Sequence, residues 1–193
     1  MYKIYFILAI LVTGNLSCIG QEIVRNLGFE QLDPNGRLIG WEFGNTKQKY
    51  QMKLDTAISH TGRCSFSIEM PSDTVLDRGI AGASSIFIAS SLKSKKNIKI
   101  AAYIKTENLV DGVAAVGMRL NGENGPIHEL NSNDQSPKGT SDWKMVEIEL
   151  PLTAQVQSVS FAFHMDGKGK AWFDDFQIFI DGTLVGSKLK ITP

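Results

Sequence analysis

Stretch after stretch of this chain alternates apolar with polar residues at a period of two, and that pattern constrains the fold more than any other feature. Ser65–Met70 sets Phe66, Ile68 and Met70 on one side, and Asn97–Lys105 does the same with Ile98, Ile100, Ala102 and Ile104. Val116, Met118 and Leu120 follow, then Trp143–Leu150, Val159–Met165 and Ala171–Ile180. Such alternation belongs to strands with one buried and one wetter face. Turn-forming strings punctuate the runs: Asp33-Pro34-Asn35-Gly36, Asn121-Gly122-Glu123-Asn124-Gly125-Pro126, Pro137-Lys138-Gly139, Asp166-Gly167-Lys168-Gly169 and Asp181-Gly182. Helical spacing is scarce between them. Half-buried strands without interleaved helices predict an all-β, antiparallel β-sandwich or barrel.

Around these strands the chain divides simply. Residues 1–20 read as an export signal: Lys3 gives the positive start and Ile4–Val12 is apolar but too short to span a bilayer. Cleavage after Gly20 leaves Gln21 first. Leu16-Ser17-Cys18 supports a second reading, a lipoprotein signal in which Cys18 carries the lipid, although Asn15 stands where an aliphatic residue is normal. Both readings place the protein outside the cytoplasm, in a periplasm, at a cell surface or secreted. Residues 21–182 then form one sandwich domain. The tail 183–193, with Leu184, Val185, Leu189 and Ile191, reads as a final strand or the start of a connection. Glu129–Ser141 is polar and turn-rich and reads as a long loop.

Charge and cysteine content narrow the partners. Lys+Arg and Asp+Glu are equal at 20 each, so no net field steers the chain toward nucleic acid or an anionic membrane. Membrane contact is expected only through a lipid at Cys18. Past the signal Cys64 has no intramolecular partner, so the core must hold without a disulfide. Alternation puts Cys64 on the side of Phe66, Ile68 and Met70, as a small buried hydrophobe.

The punctuated segments also follow an order. Asn26-Leu27-Gly28-Phe29-Glu30 precedes Gly40-Trp41, then Ser59-His60-Thr61-Gly62-Arg63-Cys64-Ser65. Tyr103-Ile104-Lys105-Thr106, Asp142-Trp143-Lys144-Met145-Val146 and Trp172-Phe173-Asp174-Asp175-Phe176 come later. In order and spacing this resembles a carbohydrate-binding module of the family 4/9 type, a galactose-binding-like jelly roll, across about Glu22 to Gly182. Each string alone is degenerate. The resemblance implies that Phe29 anchors a first strand, and that Trp41 and Trp143 plug the core rather than stack on sugar. It further implies a structural calcium, held by the Gly28 carbonyl with Glu30, Asp55 and Asp174 or Asp175.

Sugars are gripped by flat aromatic faces and a few planar polar groups. The pleat turns Tyr103, Arg119, Asn121 and His164 outward, and the expectation is that they gather on one concave sheet face as a groove for a poly- or oligosaccharide. Trp172 stays ambiguous, because Trp172, Asp174 and Phe176 alternate with Phe173 and Asp175 and both sides are apolar. His60 is expected to bond locally within its turn, and His128 has no assigned place. No nucleophile elbow, zinc motif or phosphate loop is present, so a non-catalytic binder is expected. A protein-interaction or adhesion module of a bacterial envelope is the alternative, and a glycan-active enzyme a distant third.

Overall fold

The computed structural model describes residues 26–46, 49–71, 79–88, 92 and 94–186. Residues 1–20, read above as an export signal, and Cys18 within them lie outside the described residues, as does most of the tail. The strands are β1 (Glu42–Asn45), β2 (Gln51–Asp55), β3 (Ser65–Met70), β4 (Ile80–Ile88), β5 (Asn97–Val110), β6 (Ala114–Gly122), β7 (Gly125–Asn131), β8 (Gly139–Pro151), β9 (Ser158–Asp166), β10 (Lys168–Ile180) and β11 (Thr183–Gly186). They form two antiparallel sheets, a five-stranded one ordered β1-β4-β9-β6-β7 and a six-stranded one ordered β2-β3-β10-β5-β8, with β11 beside β10. The antiparallel sandwich is therefore the fold.

Alternation predicted the inner face strand by strand. Ile98, Ile100, Ala102 and Ile104 of β5, Val116, Met118 and Leu120 of β6, and Phe161, Phe163 and Met165 of β9 are all buried. Phe29 sits at the centre, with ring centroids 5.2 Å from Trp41, 5.9 Å from Phe66, 5.5 Å from Phe163 and 6.1 Å from Phe176. Tilted and edge-on rings of this kind add to the area they bury. Trp41 is the core plug it was expected to be, and its Nε1 donates to the Asn26 carbonyl at 3.1 Å. Cys64 is buried, as alternation required.

Some expectations need correcting. The Asn26–Glu30 string forms a turn, not a first strand, with Asn26 at φ 71° and Phe29 at φ 60°. A bulky residue in the left-handed region is strained, and complete burial of the Phe29 ring offsets that strain. Glu129–Ser141 is not one long loop either. β7 runs to Asn131 and β8 begins at Gly139, leaving a 3-10 turn over Asn133–Gln135 between them. The polar residues there misled because β7 is an edge strand, exposed on most of its length.

The Trp172–Phe176 ambiguity has a structural answer. Trp172 pairs with Lys105 and Asp174 with Tyr103, both on the outer side, whereas Phe173 packs against Phe163 inside at 4.7 Å. The register then slips between Asp174 and Gln177, with Asp175 at φ 50°. This bulge inserts one residue and returns Phe176 to the core.

Candidate functional site

The outer face of the five-stranded sheet is built from residues that alternate with the core. In register, Gly44, Gly82, His164 and Ala115 form one row across β1, β4, β9 and β6. Glu42, Ser84, Ala162, Gly117 and Asn131 form the next, reaching β7. Ile86, Ser160, Arg119 and Glu129 form a third. The first row is buried at Gly82, His164 and Ala115, whereas Ser84, Ala162, Gly117 and Ser160 of the next two are partly exposed and form a low floor, with taller polar groups toward the β6–β7 side.

Packing demands only part of that smallness. At Gly82 a Cβ would come within 2.1 Å of the Phe163 carbonyl oxygen, so glycine is required there. At Gly117 the nearest atom to an added Cβ is the Leu130 carbonyl oxygen at 3.8 Å, and at Gly44 nothing lies within 4 Å. A glycine inside a strand weakens it by roughly 0.5–1 kcal/mol relative to alanine. Gly117 accepts that cost with no steric reason from its neighbours, and the result is an open trough.

The trough's polar groups are held in place. Arg119 forks onto Glu129, with Nε and Nη2 each 3.0 Å from Oε2. Asn121 donates its amide to the Ser160 hydroxyl at 3.1 Å and the Ser158 hydroxyl at 3.4 Å, which directs its carbonyl oxygen elsewhere. His164, although on this face, is buried between Gly82 and Ala115 in the row; burial pushes its imidazole below the ordinary range, against the opposing pull of Asp166. Arg119, Asn121 and His164 thus share one face as expected.

Tyr103 does not join them. It lies on β5 in the other sheet, so the single groove drawn from sequence does not form. Alternation shows which residues point outward but not which sheet a strand enters. On the outer face of the six-stranded sheet Tyr103 stacks on His60, with centroids 3.7 Å apart and planes at 15°. Trp143 meets His60 edge-on at 5.6 Å. Trp143 is therefore outside and partly exposed, not a core plug: the buried positions of β8 are Val146, Ile148 and Leu150, and Trp143 falls on the opposite alternation. Trp172, on the same outer side, is covered; its Nε1 donates to Asp55 Oδ2 at 2.9 Å and Lys170 Nζ lies 4.5 Å from the ring centroid. His60 bonds not within its own turn but to β10: its backbone N–H donates to Asp174 Oδ2 at 2.8 Å. Its Nδ1 is 2.6 Å from Asp175 Oδ2.

The carboxylates named as calcium ligands do converge on the His60 turn, but they meet its hydrogen-bond donors. Glu30 Oε1 accepts from the backbone N–H of Arg63 at 2.8 Å and of Cys64 at 3.3 Å. Asp174 Oδ2 accepts from the N–H of His60 and Thr61, and Asp175 Oδ1 from the Thr61 hydroxyl. Asp55 is committed to the N–H groups of Ala57 and Ile58 and to Trp172. Burial pushes the Asp55 carboxyl up, but those hydrogen bonds, led by Trp172, hold it below its ordinary value. Gly28 is buried in the neighbouring turn. Among the described residues no group of three or more His, Cys, Asp or Glu side chains is arranged to hold a metal ion. As arranged, the set does not fit calcium. Melting in millimolar calcium and in a chelator is accordingly expected to coincide; a calcium-dependent rise of several degrees would show that an ion binds the folded state after all.

No family model matches the chain, and no curated protein is similar to it. Its fold has counterparts among solved structures. A family 61 carbohydrate-binding module, TmCBM61, in complex with β-1,4-galactotriose superposes with a TM-score of 0.54 at 15% identity, over 83% of this chain and 99% of that one. The C-terminal family 22 carbohydrate-binding module of Clostridium thermocellum Xyn10B gives 0.52 at 10% identity, over 82% and 93%. A cyclase from Fischerella sp. TAU in complex with 4-(1H-indol-3-yl)butan-2-one gives 0.57 at 14% identity, over 83% and 97%. A bacteriophage CBA120 tailspike protein 4 domain gives 0.57 at 10% identity over 76% of this chain, which spans only 20% of that one. The sandwich is shared by binding modules and enzymes alike.

Proposed function

We propose that this protein binds a neutral poly- or oligosaccharide along the outer face of its five-stranded sheet and does no chemistry on it. The observation that carries the reading is the floor left open at Gly117, bordered by an oriented guanidinium and an oriented amide. Planar donors and acceptors beside a shallow, uncharged floor suit hydroxyl-bearing rings, and the Arg119–Glu129 pairing cancels local charge. A fold shared with modules whose structures hold galactotriose or are described as xylan-binding supports the same ligand class. Export, by the signal read at residues 1–20, would bring the protein to extracellular glycans.

The test is calorimetry against β-1,4-galacto-oligosaccharides and xylo-oligosaccharides, with sugar release assayed in parallel. Arg119→Ala and Asn121→Ala are each expected to weaken binding roughly ten-fold, the cost of one well-placed hydrogen bond to a charged or amide group. Unchanged affinity in both variants removes the trough as the site. Release of shorter sugars would replace the binding reading with an enzymatic one.

A further inference from the structure

The opposite face carries the aromatic surface that the trough lacks. Tyr103, His60 and Trp143 form a contiguous cluster on the outer side of the six-stranded sheet, and Met145, opposite Tyr103 in the register, is 47% exposed beside it. Aromatic residues of a sheet's outer face are normally covered or isolated, as Trp172 is covered here; a grouped, accessible set is a feature that marks binding surfaces.

The cluster is also rigid and polar at its edge. His60 is fixed at its backbone by Asp174 and at Nδ1 by Asp175, which itself sits on the bulge of β10. The Asp175 carboxylate on Nδ1 fixes the ring's orientation and leaves Nε2 as its outer polar edge. Lys105 Nζ and Asp142 Oδ1 are paired at 2.8 Å nearby. Fixed aromatic faces, an imidazole edge and a paired Lys–Asp couple together match the C–H patches and hydroxyls of a pyranose ring.

We propose that this cluster is a second carbohydrate site, with a sugar ring stacked against Trp143 and a hydroxyl hydrogen-bonded to His60 Nε2. The two sheets pack about 10 Å apart with their outer faces turned away from each other. The second site therefore takes a different stretch of glycan from the trough, and one protein bridges two chains. Only the bridging rests on the function proposed above; the second site stands on its own geometry.

Trp143 reports on it directly. The chain has three tryptophans, and Trp41 and Trp172 are 5% and 1% exposed, so acrylamide quenching reads Trp143. Galacto- and xylo-oligosaccharides are expected to protect that emission saturably in the parent and equally in Gly117→Leu, whose trough is filled. Tyr103→Ala or, if that variant folds poorly by circular dichroism, Met145→Lys is expected to weaken the protection about thirty-fold, the loss typical of a central binding residue. Mixed with xylan or galactan, the parent is expected to cross-link the polymer and either single-site variant is not. Quenching that no member of the panel changes overturns the second site, whether or not calorimetry finds the trough occupied. Protection that disappears in Gly117→Leu also overturns it, by assigning the signal to the trough.

Discussion

Raising the pH from about 4 to about 8 is expected to cost the folded state up to about 4 kcal/mol at one side chain, Asp174, whose carboxyl is pushed up to about 7 from an ordinary 3.8. Burial is the main cause and the neighbouring Asp175 charge the second, while the N–H groups of Asp175, Thr61 and His60 oppose them. The folded state then holds a proton that the unfolded state releases above about 4, so stability is full below that pH and falls as pH rises through about 7. His164 works the other way. Its imidazole is held below 6.5, so the unfolded chain binds the extra proton and stability falls as pH drops below that value. The lowered carboxyl of Asp55 matters only below about 4. Because the two slopes oppose, the parent's own curve is a composite and the decisive quantity is a difference. Urea denaturation of parent and Asp174→Asn across this range cancels the His164 contribution. The variant is expected to gain on the parent steadily as pH rises, even though its amide replaces an acceptor of N–H bonds and lowers stability at acid pH. A difference that stays flat means Asp174 is already ionised at the low end, as an ion bound there would make it.

Sequence was a good guide to which residues turn inward and a poor one to which strands pair. Period-two spacing names inner and outer residues of β5, β6 and β9 because burial of one face is a local property of each strand. It named Phe66, Ile68 and Met70 as core, and Arg119 and Asn121 as outward, for that reason. Which sheet a strand enters is decided by long-range pairing. β5 pairs with β8 and β10, and β6 with β7 and β9, and nothing in either strand's own residues announces it. Tyr103 was separated from Arg119 on that account alone. The bulge was closer to legible, since Phe173 and Phe176 both needed the core although three residues apart, and two aspartates between them fit an inserted residue. Trp143 was misplaced because a tryptophan was assumed to be core, when parity with Val146, Ile148 and Leu150 already set it outside. The trough floor had a signal that was overlooked: Gly117 on β6, and Ser160 and Ala162 on β9, are all small at the outward positions of strands that turned out adjacent.

Filling that floor separates a built trough from an accident of composition. Gly117→Leu is expected to weaken saccharide binding roughly ten- to hundred-fold, the range set by forcing a bulky side chain into occupied space, while leaving the melting temperature unchanged or higher. The stability half of the expectation follows from the backbone: glycine within a strand is less stable than alanine by roughly 0.5–1 kcal/mol, and no atom nearer than 3.8 Å opposes a Cβ at this position. Leucine would lie across Ala162 of β9 and toward Asn131 of β7, its register partners, on the solvent side of the sheet. Gly117→Ala is the graded control, expected to stabilise the fold with a smaller loss of affinity. Were the outer face merely solvated, both substitutions would be gains with no cost to binding, and a strand at the middle of the sheet would have no reason to keep glycine. A leucine variant that melts higher and binds as before would therefore move the ligand off this sheet, whereas one that melts higher and binds poorly would show stability given up there for an open surface.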